Sequence, residues 1–265
     1  MDISYSDLKA YWTCPLKFKH RVTGTPVPPG REKRSFIGHL LMRVAEAFYK
    51  DEWWRHPATI YAQARAALVP LGYEITKQYQ IDWAPQEFEA WIDLARMAVI
   101  SMIDTVKTER LLGIRNLTEV EATIKVGEHT VHGRFDFLII SKDWEVTLLD
   151  GKGGSRSYSD LDQLRLYTTM VPGLVGKPAN RVGFWYFQHG EVVWKKITDK
   201  DRAKVLDKTR SALSGICSKS FLASPSPKCR LCDWKHLCPE GQAYLVAKAG
   251  DDSIDLPVGQ GEVSL

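Results

Sequence analysis

The sequence predicts an α/β fold in which strands between about residues 119 and 152 are enclosed by helices on either side. Three observations predict it. Residues 131–140 and 146–152 alternate with a period of two around a short polar turn, Ser141, Lys142, Asp143 and Trp144. Residues 35–50 and most of 51–110 carry apolar side chains at helical spacing. Helical spacing returns after about Ser159, interrupted by a second strand pair, Arg181 to Gln188 and Glu191 to Ile197, across His189 and Gly190. A chain of 265 residues that is 44% hydrophobic has ample material for one large domain or a domain with a helical insert.

From the start of the chain, Ser4 and Asp7 read as a helix N-cap, followed by Leu8, Tyr11, Trp12 and Leu16 at helical spacing. Cys14 and Pro15 interrupt that helix. Lys17, Lys19, His20 and Arg21 follow, either as a solvated basic face or as a phosphate-contacting strip. A proline-rich loop spans Gly24 to Gly30, and Arg31, Lys33 and Arg34 add positive charge. In the next helix Ile37, Leu40, Leu41, Val44 and Phe48 form the apolar stripe, and His39 is turned away from it, near Arg43 and Glu46. By pattern alone His39 is a surface residue. Phe88, Trp91, Ile92, Ala95, Val99, Met102, Ile103 and Val106 continue the helical core, and Trp53 and Trp54 are read as packing residues, with stacking on a base as the alternative.

The strands begin near Glu119, turn at Gly127 and Glu128, and enter the central hairpin. Alternation puts Val131, Gly133, Phe135, Phe137 and Ile139 on one face, with Arg134, Asp136, Leu138 and Ile140 on the other. Val146, Leu148, Asp150 and Lys152 share a face of the next strand. With the turn centred on 141–144, Asp136 and Asp150 come nearly opposite each other on antiparallel neighbours. Two hard oxygen ligands can hold Mg2+ or Mn2+ and leave waters in the remaining positions. A lysine two residues beyond can act on an attacking water or stabilise charge on a phosphate. The bland alternative is a pair of structural carboxylates neutralised by Arg134 and Lys152.

After Lys152 comes a glycine-rich basic loop, residues 153–157, read as flexible. On the helix beyond it Gln163 and Tyr167, four residues apart, share a face. A helix from Asp199 to Cys217 places Cys217 as a small buried apolar residue. Pro225 and Pro227 then mark a break before Cys229, Cys232 and Cys238. Three thiolates fall one short of a four-ligand site, and Cys14 is the best candidate for the fourth, with Cys217 its competitor. Zinc and a 4Fe-4S cluster both accept four thiolates, and His236 could replace one cysteine around zinc.

The formal charge is +4, but the last fifteen residues carry four acids and no Lys or Arg, so residues 1–250 hold +8. A polyanionic partner fits that balance. The tail, 251–265, is expected to be disordered. No apolar run approaches a membrane span and the first residues lack a signal-peptide pattern, so a soluble, cytoplasmic protein without a membrane partner is expected.

Taken together, Ser4, Tyr5, Ser6 and Asp7 with Cys14 and Pro15, Gly38 with His39, Gly133 to Asp136, Asp150 to Lys152, Gln163 with Tyr167, and the terminal cysteines resemble the PD-(D/E)XK nuclease superfamily. Within it the chain is most similar to RecB-like and AddB-like iron-sulfur nucleases and to CRISPR-associated exonucleases. The resemblance implies a restriction-endonuclease-like mixed sheet flanked by helices, with a helical insert and an iron-sulfur module joining the N- and C-terminal regions. It implies that His39, Asp136, Asp150 and the Gly151 carbonyl hold Mg2+ or Mn2+, that Lys152 acts on the water or the phosphate, and that Gln163 and Tyr167 line the nucleic-acid path. Cys14, Cys229, Cys232 and Cys238 would hold a 4Fe-4S cluster.

The expected organisation is an N-terminal helix and basic loop (1–34), a helical region carrying His39 (35–115), a nuclease core (116–218), a cysteine cluster (219–250) and the acidic tail (251–265). The expected activity is metal-dependent hydrolysis of DNA, by an exonuclease acting on single-stranded ends. A homo-oligomer and CRISPR or recombination proteins are the expected partners besides DNA. The alternatives are a prespacer-processing nuclease of a CRISPR adaptation system and a non-catalytic DNA-binding protein stapled by a metal. No helicase motor motif is present in the sequence.

Overall fold

The computed structural model describes residues 1–28, 31–153 and 160–249. Most of the glycine-rich loop after Lys152 and the whole acidic tail therefore lie outside the described residues. The chain forms two compact units. One contains residues 1–28, 123–133 and 199–249, and the other residues 31–122, 134–153 and 160–198.

In the first unit, strand β1 (Asp2–Ser4) leads into helix α1 (Tyr5–Thr13), which is capped as its sequence predicts. The Ser4 hydroxyl accepts a hydrogen bond from the Asp7 amide at 3.1 Å, and the Asp7 carboxylate accepts from Ser4 in return. Helix α2 (Pro15–Val22) starts with proline at its first position, where no amide donor is required, so the chain turns at Cys14 without losing a hydrogen bond. Helix α7 (Asp199–Cys217) buries Val205, Thr209, Ala212, Leu213 and Ile216. The Tyr11 hydroxyl of α1 donates to the Ser220 carbonyl at 3.0 Å. Cys217 is exposed, which corrects the buried position expected for it: it is the last residue of α7, one place beyond Ile216 on the buried stripe. Two short 3-10 turns, Pro227–Leu231 and Lys235–Leu237, precede helix α8 (Pro239–Ala249).

In the second unit, helices α3 (Arg31–Lys50), α4 (Ile60–Gln78) and α5 (Pro85–Thr108) are followed by the strands. Strands β2 (Arg115–Val126) and β3 (His129–Ile140) each run through the boundary between the units. They are longer than the expected segments because the backbone pairing extends into polar positions that carry no apolar signal. Strand β4 (Val146–Lys152), helix α6 (Leu161–Val175), and strands β5 (Arg181–Tyr186) and β6 (Glu191–Trp194) complete it.

The sheet is mixed. Pairing is antiparallel between β3 and β4, parallel between β4 and β5, and antiparallel between β5 and β6, while β1 pairs in parallel with β3 inside the first unit. The parallel β4–β5 step requires a crossover, and α6 supplies it.

Phe137, Ile139, Leu149, Trp185 and Phe187 of the sheet layer join Phe36, Leu40, Leu41, Val44 and Phe48 of α3 and Val99, Met102 and Ile103 of α5 in one core. Each such side chain contributes about 1.5–3 kcal/mol of burial free energy, which makes this layer the rigid floor of the unit. Phe135 departs from simple alternation. It packs on Tyr167 of α6 at 5.0 Å between ring centroids, whereas Phe137 packs on Tyr49 and Trp185. Trp53 and Trp54 pack against the core, as expected. Among the described residues no helix is long and apolar enough to cross a membrane.

Candidate active site

The register Phe137 to Leu149 sets Asp136 and Asp150 at the next opposed positions of β3 and β4, where pairing by period and turn length had put them. Asp136 Oδ2 accepts a hydrogen bond from the Gly151 amide at 2.7 Å, which ties the two strands together at the site. Asp150 is 2% exposed and forms an ion pair with Lys152, two residues along the same strand. Arg134 pairs with Glu119 at 2.8 Å. The bland reading thus holds for one carboxylate and not for both.

Burial, and then the charge of Asp150, push the carboxyl of Asp136 well above its ordinary range, while the Gly151 amide and Lys152 pull the other way. One ammonium facing one buried and one half-buried carboxylate leaves an excess of negative charge. A divalent cation with oxygen ligands fits that donor set. Among the described residues, however, no group of three or more His, Cys, Asp or Glu side chains is arranged to hold a metal ion.

Lys152 Nζ lies 5.5 Å from the Phe184 ring centre and 3.5 Å from Gln163 Oε1, and Gln163 Nε2 donates to the Tyr167 hydroxyl at 3.3 Å. The helical spacing of Gln163 and Tyr167 therefore forms a polar relay leading away from the lysine. Burial raises the Tyr167 phenol to about 12, so it remains a neutral donor at physiological pH.

His39 lies on α3 with its ring stacked on Tyr79 at 4.8 Å, and burial together with Arg43 holds its imidazole below its usual value, favouring the neutral, ligating form. The residue before it, Gly38, meets the backbone of Gly153. A Cβ on Gly153 would overlap Gly38 Cα and come within 3.0 Å of its amide nitrogen, whereas a Cβ on Gly38 would have ordinary contact at 3.8 Å. Gly151 is equally confined, since a Cβ there would lie 2.6 Å from Phe187 Cζ. Gly151 and Gly153 serve close packing, while the rest of the loop read as flexible lies outside the described residues. Sequence reading passed over Tyr79, Glu46 and Glu119 as site neighbours. A charged residue on an amphipathic helix or strand carries the same pattern whether it faces water or a site.

In the first unit Cys14, Cys229, Cys232 and Cys238 line one pocket together with Lys17, His20, Lys228, Trp234 and Lys235. Backbone amides donate to three of the sulfurs: Ser224 to Cys14 at 3.3 Å, Ser226 to Cys229 at 3.4 Å and Gly241 to Cys238 at 3.3 Å. A Cβ at Gly241 would touch both Cys238 Sγ at 3.2 Å and Cys229 Sγ at 3.6 Å. Burial raises the Cys238 thiol, and Cys14 adds to the shift. His236 is exposed and is not among the residues lining the pocket. Cys217 lies elsewhere in the unit, 4.0 Å from His129 Nε2.

No curated protein matches the sequence. Among solved structures, a candidate exonuclease from Eubacterium rectale is similar in fold, with a TM-score of 0.55 at 11% identity, covering 91% of this chain and 87% of that one. The structure of SSO0001 (TM-score 0.34, 15% identity, 77% and 85% covered) is too distant to bear on the fold. The same holds for protein VC1899 from Vibrio cholerae (TM-score 0.25, 11% identity, 73% and 58% covered). The model of the PD-(D/E)XK nuclease superfamily matches residues 2–239, which takes in β3, β4 and the carboxylate pair with its lysine. On that match the chain belongs to the PD-(D/E)XK nuclease superfamily, with the mixed restriction-endonuclease-like sheet of that fold.

Proposed function

We propose that the protein is a divalent-metal-dependent DNA exonuclease that acts on single-stranded ends. The observation that carries this reading is the pairing of half-buried Asp136 with buried Asp150, held side by side by strand register with Lys152 against one of them. Asp136, Asp150, the Gly151 carbonyl and His39 are the residues that would hold Mg2+ or Mn2+. When bound, the ion lowers the pKa of a water and offsets charge on the phosphate. His39 belongs to this set as the neutral imidazole that its burial favours. The Lys152 ammonium, held by Asp150, faces the negative charge that builds on the phosphate as the phosphodiester is cleaved. Gln163 keeps the lysine side chain oriented, and Tyr167 keeps Gln163 oriented.

Cys14, Cys229, Cys232 and Cys238 of the first unit are proposed to hold a structural 4Fe-4S cluster. Their shared pocket and the amides directed at three sulfurs support thiolate chemistry there. Within the superfamily the proposed relatives are RecB-like and AddB-like nucleases and CRISPR-associated exonucleases, with prespacer processing as the second reading. A homo-oligomer and CRISPR or recombination proteins are the partners proposed with it. The proposed organisation follows the sequence divisions: 1–34, 35–115 with His39, the nuclease core 116–218, the cluster segment 219–250 and the tail 251–265.

Digestion of end-labelled single- and double-stranded DNA and RNA with Mg2+, Mn2+ or chelator tests the reading. Ladders that start at single-stranded DNA ends and need the ion are expected. Cleavage that persists in chelator, or in Asp150→Ala, removes the proposed site.

A further inference from the structure

Two arginines stand on elements that also supply a proposed site residue. Arg43 stands one helical turn beyond His39 on α3, close enough for its charge to act on that imidazole. Arg134 stands two residues before Asp136 on β3. Each is held by a glutamate: Arg43 Nη1 lies 3.6 Å from Glu46 Oε2, and Arg134 Nε lies 2.8 Å from Glu119 Oε2. Arg43 also donates to Gln78 Oε1 at 3.5 Å.

The two ion pairs lie close enough for their charges to act on each other. Burial and the nearby Glu119 charge raise the Glu46 carboxyl, while Arg43 and Arg134 both lower it. The four side chains are ordered by sign. The carboxylate side chains are 19% and 27% exposed, and the arginine side chains 50% and 64%, so the guanidinium groups form the outer face. A guanidinium carries five N–H donors, more than these contacts use.

Holding the two pairs in place has a cost. Glu119 has a φ of 52°, a left-handed conformation inside a strand that is unfavourable for a non-glycine residue. Ion pairs whose guanidinium groups stand in solvent contribute little to stability, so stability alone is a weak reason to keep the arrangement.

We propose that Arg43 and Arg134 form a subsite for a backbone phosphate of the nucleic-acid strand beside the carboxylate site, with Glu46 and Glu119 positioning the two guanidinium groups. This rests on the nuclease reading of the same site. A phosphodiester brings one negative charge and oxygen acceptors in the geometry that arginine forks match. Such a contact adds affinity without reading sequence, and the affinity falls with salt.

The test is fluorescence anisotropy of the full-length protein with a labelled single-stranded oligonucleotide, without divalent ions, over a series of salt concentrations. The Arg43→Gln, Arg134→Gln double variant is expected to reduce the slope of log affinity against log salt by about 0.7, the loss of one phosphate contact, and each single variant by part of that. Arg43→Lys with Arg134→Lys keeps both charges and is expected to keep the slope. A purely structural role would shift melting temperature and leave the slope alone, so a folded double glutamine variant with the wild-type slope overturns the inference while the nuclease reading stands. If the double variant does not fold, the single variants are judged on the same slope. A wild-type protein that binds no oligonucleotide overturns both.

Discussion

The carboxylate site and the thiol pocket are built by opposite strategies. Asp136, Asp150 and Lys152 come from one stretch of seventeen residues, 136–152, on two neighbouring strands, fixed by ladder register and floored by Phe137, Leu149 and Trp185. The thiols are drawn from a helix junction at Cys14 and from two 3-10 turns more than two hundred residues later, in a segment whose one buried large side chain among the described residues from 218 to 249 is Trp234. The first arrangement is preformed by the fold. The second has little apolar burial to order it, so a bound group that cross-links the thiols would supply much of its order.

The largest effect that could break this contrast is chemical. Asp150→Ala is expected to abolish cutting and Lys152→Ala to reduce it by about 10²–10³-fold, both with unchanged far-ultraviolet circular dichroism. A collapse of folding in either would mean that the charges, and not the register, hold the strands. Next, Cys14→Ala is expected to lose iron and acid-labile sulfide and to become open to proteolytic nicking between residues 218 and 249, while Cys217→Ser keeps both the cluster and its protection. Stoichiometric zinc in a colourless protein would replace iron-sulfur with the rival metal. Equal iron loss in both variants would reassign the fourth ligand.

A smaller effect sharpens the packing side of the comparison. Gly153→Ala is expected to destabilise by about 1–3 kcal/mol in urea melts, since its Cβ meets the Gly38 backbone. Gly38→Ala, with ordinary contact only, should be neutral or stabilise by up to about 1 kcal/mol through helix propensity. Equal effects would show that the approach of α3 to β4 is loose.

The smallest expected effect is on pH dependence. Burial and Asp150 raise the Asp136 carboxyl, so the folded chain keeps a proton that the unfolded chain releases. Metal-free stability is therefore expected to fall as pH rises from about 4 through the raised value, and to return on acidification. Asp136→Asn should flatten that part of the profile. Mn2+ affinity should move the opposite way, weakening as the pH is lowered over the same range, because proton and ion compete for one carboxylate.

Much of this could be read from residue order. The opposition of Asp136 and Asp150 follows from a period of two and the length of the 141–145 turn, and the Gln163 and Tyr167 contact follows from spacing of four on a helix. The positions that escaped share a physical reason. Glycine has one letter for two purposes, mobility and close approach, and only the atoms around Gly151 and Gly153 show that the second applies. The left-handed turn at Glu119 leaves no trace in composition, and the separate partners of Phe135 and Phe137 contradict an alternation that the sequence obeys perfectly. Cys217 looked interior because helix periodicity does not report where the last turn frays into solvent.

The confinement of Gly151 has a consequence for anyone seeking to re-engineer this enzyme. With Phe187 and Met42 closing off the space where a side chain would begin, position 151 admits no larger residue without moving the aromatic floor. Libraries selected for altered activity should return glycine there in nearly every survivor, and the useful diversity should gather instead on α3 and α6, where Arg43 and Gln163 present side chains that can be exchanged without displacing backbone.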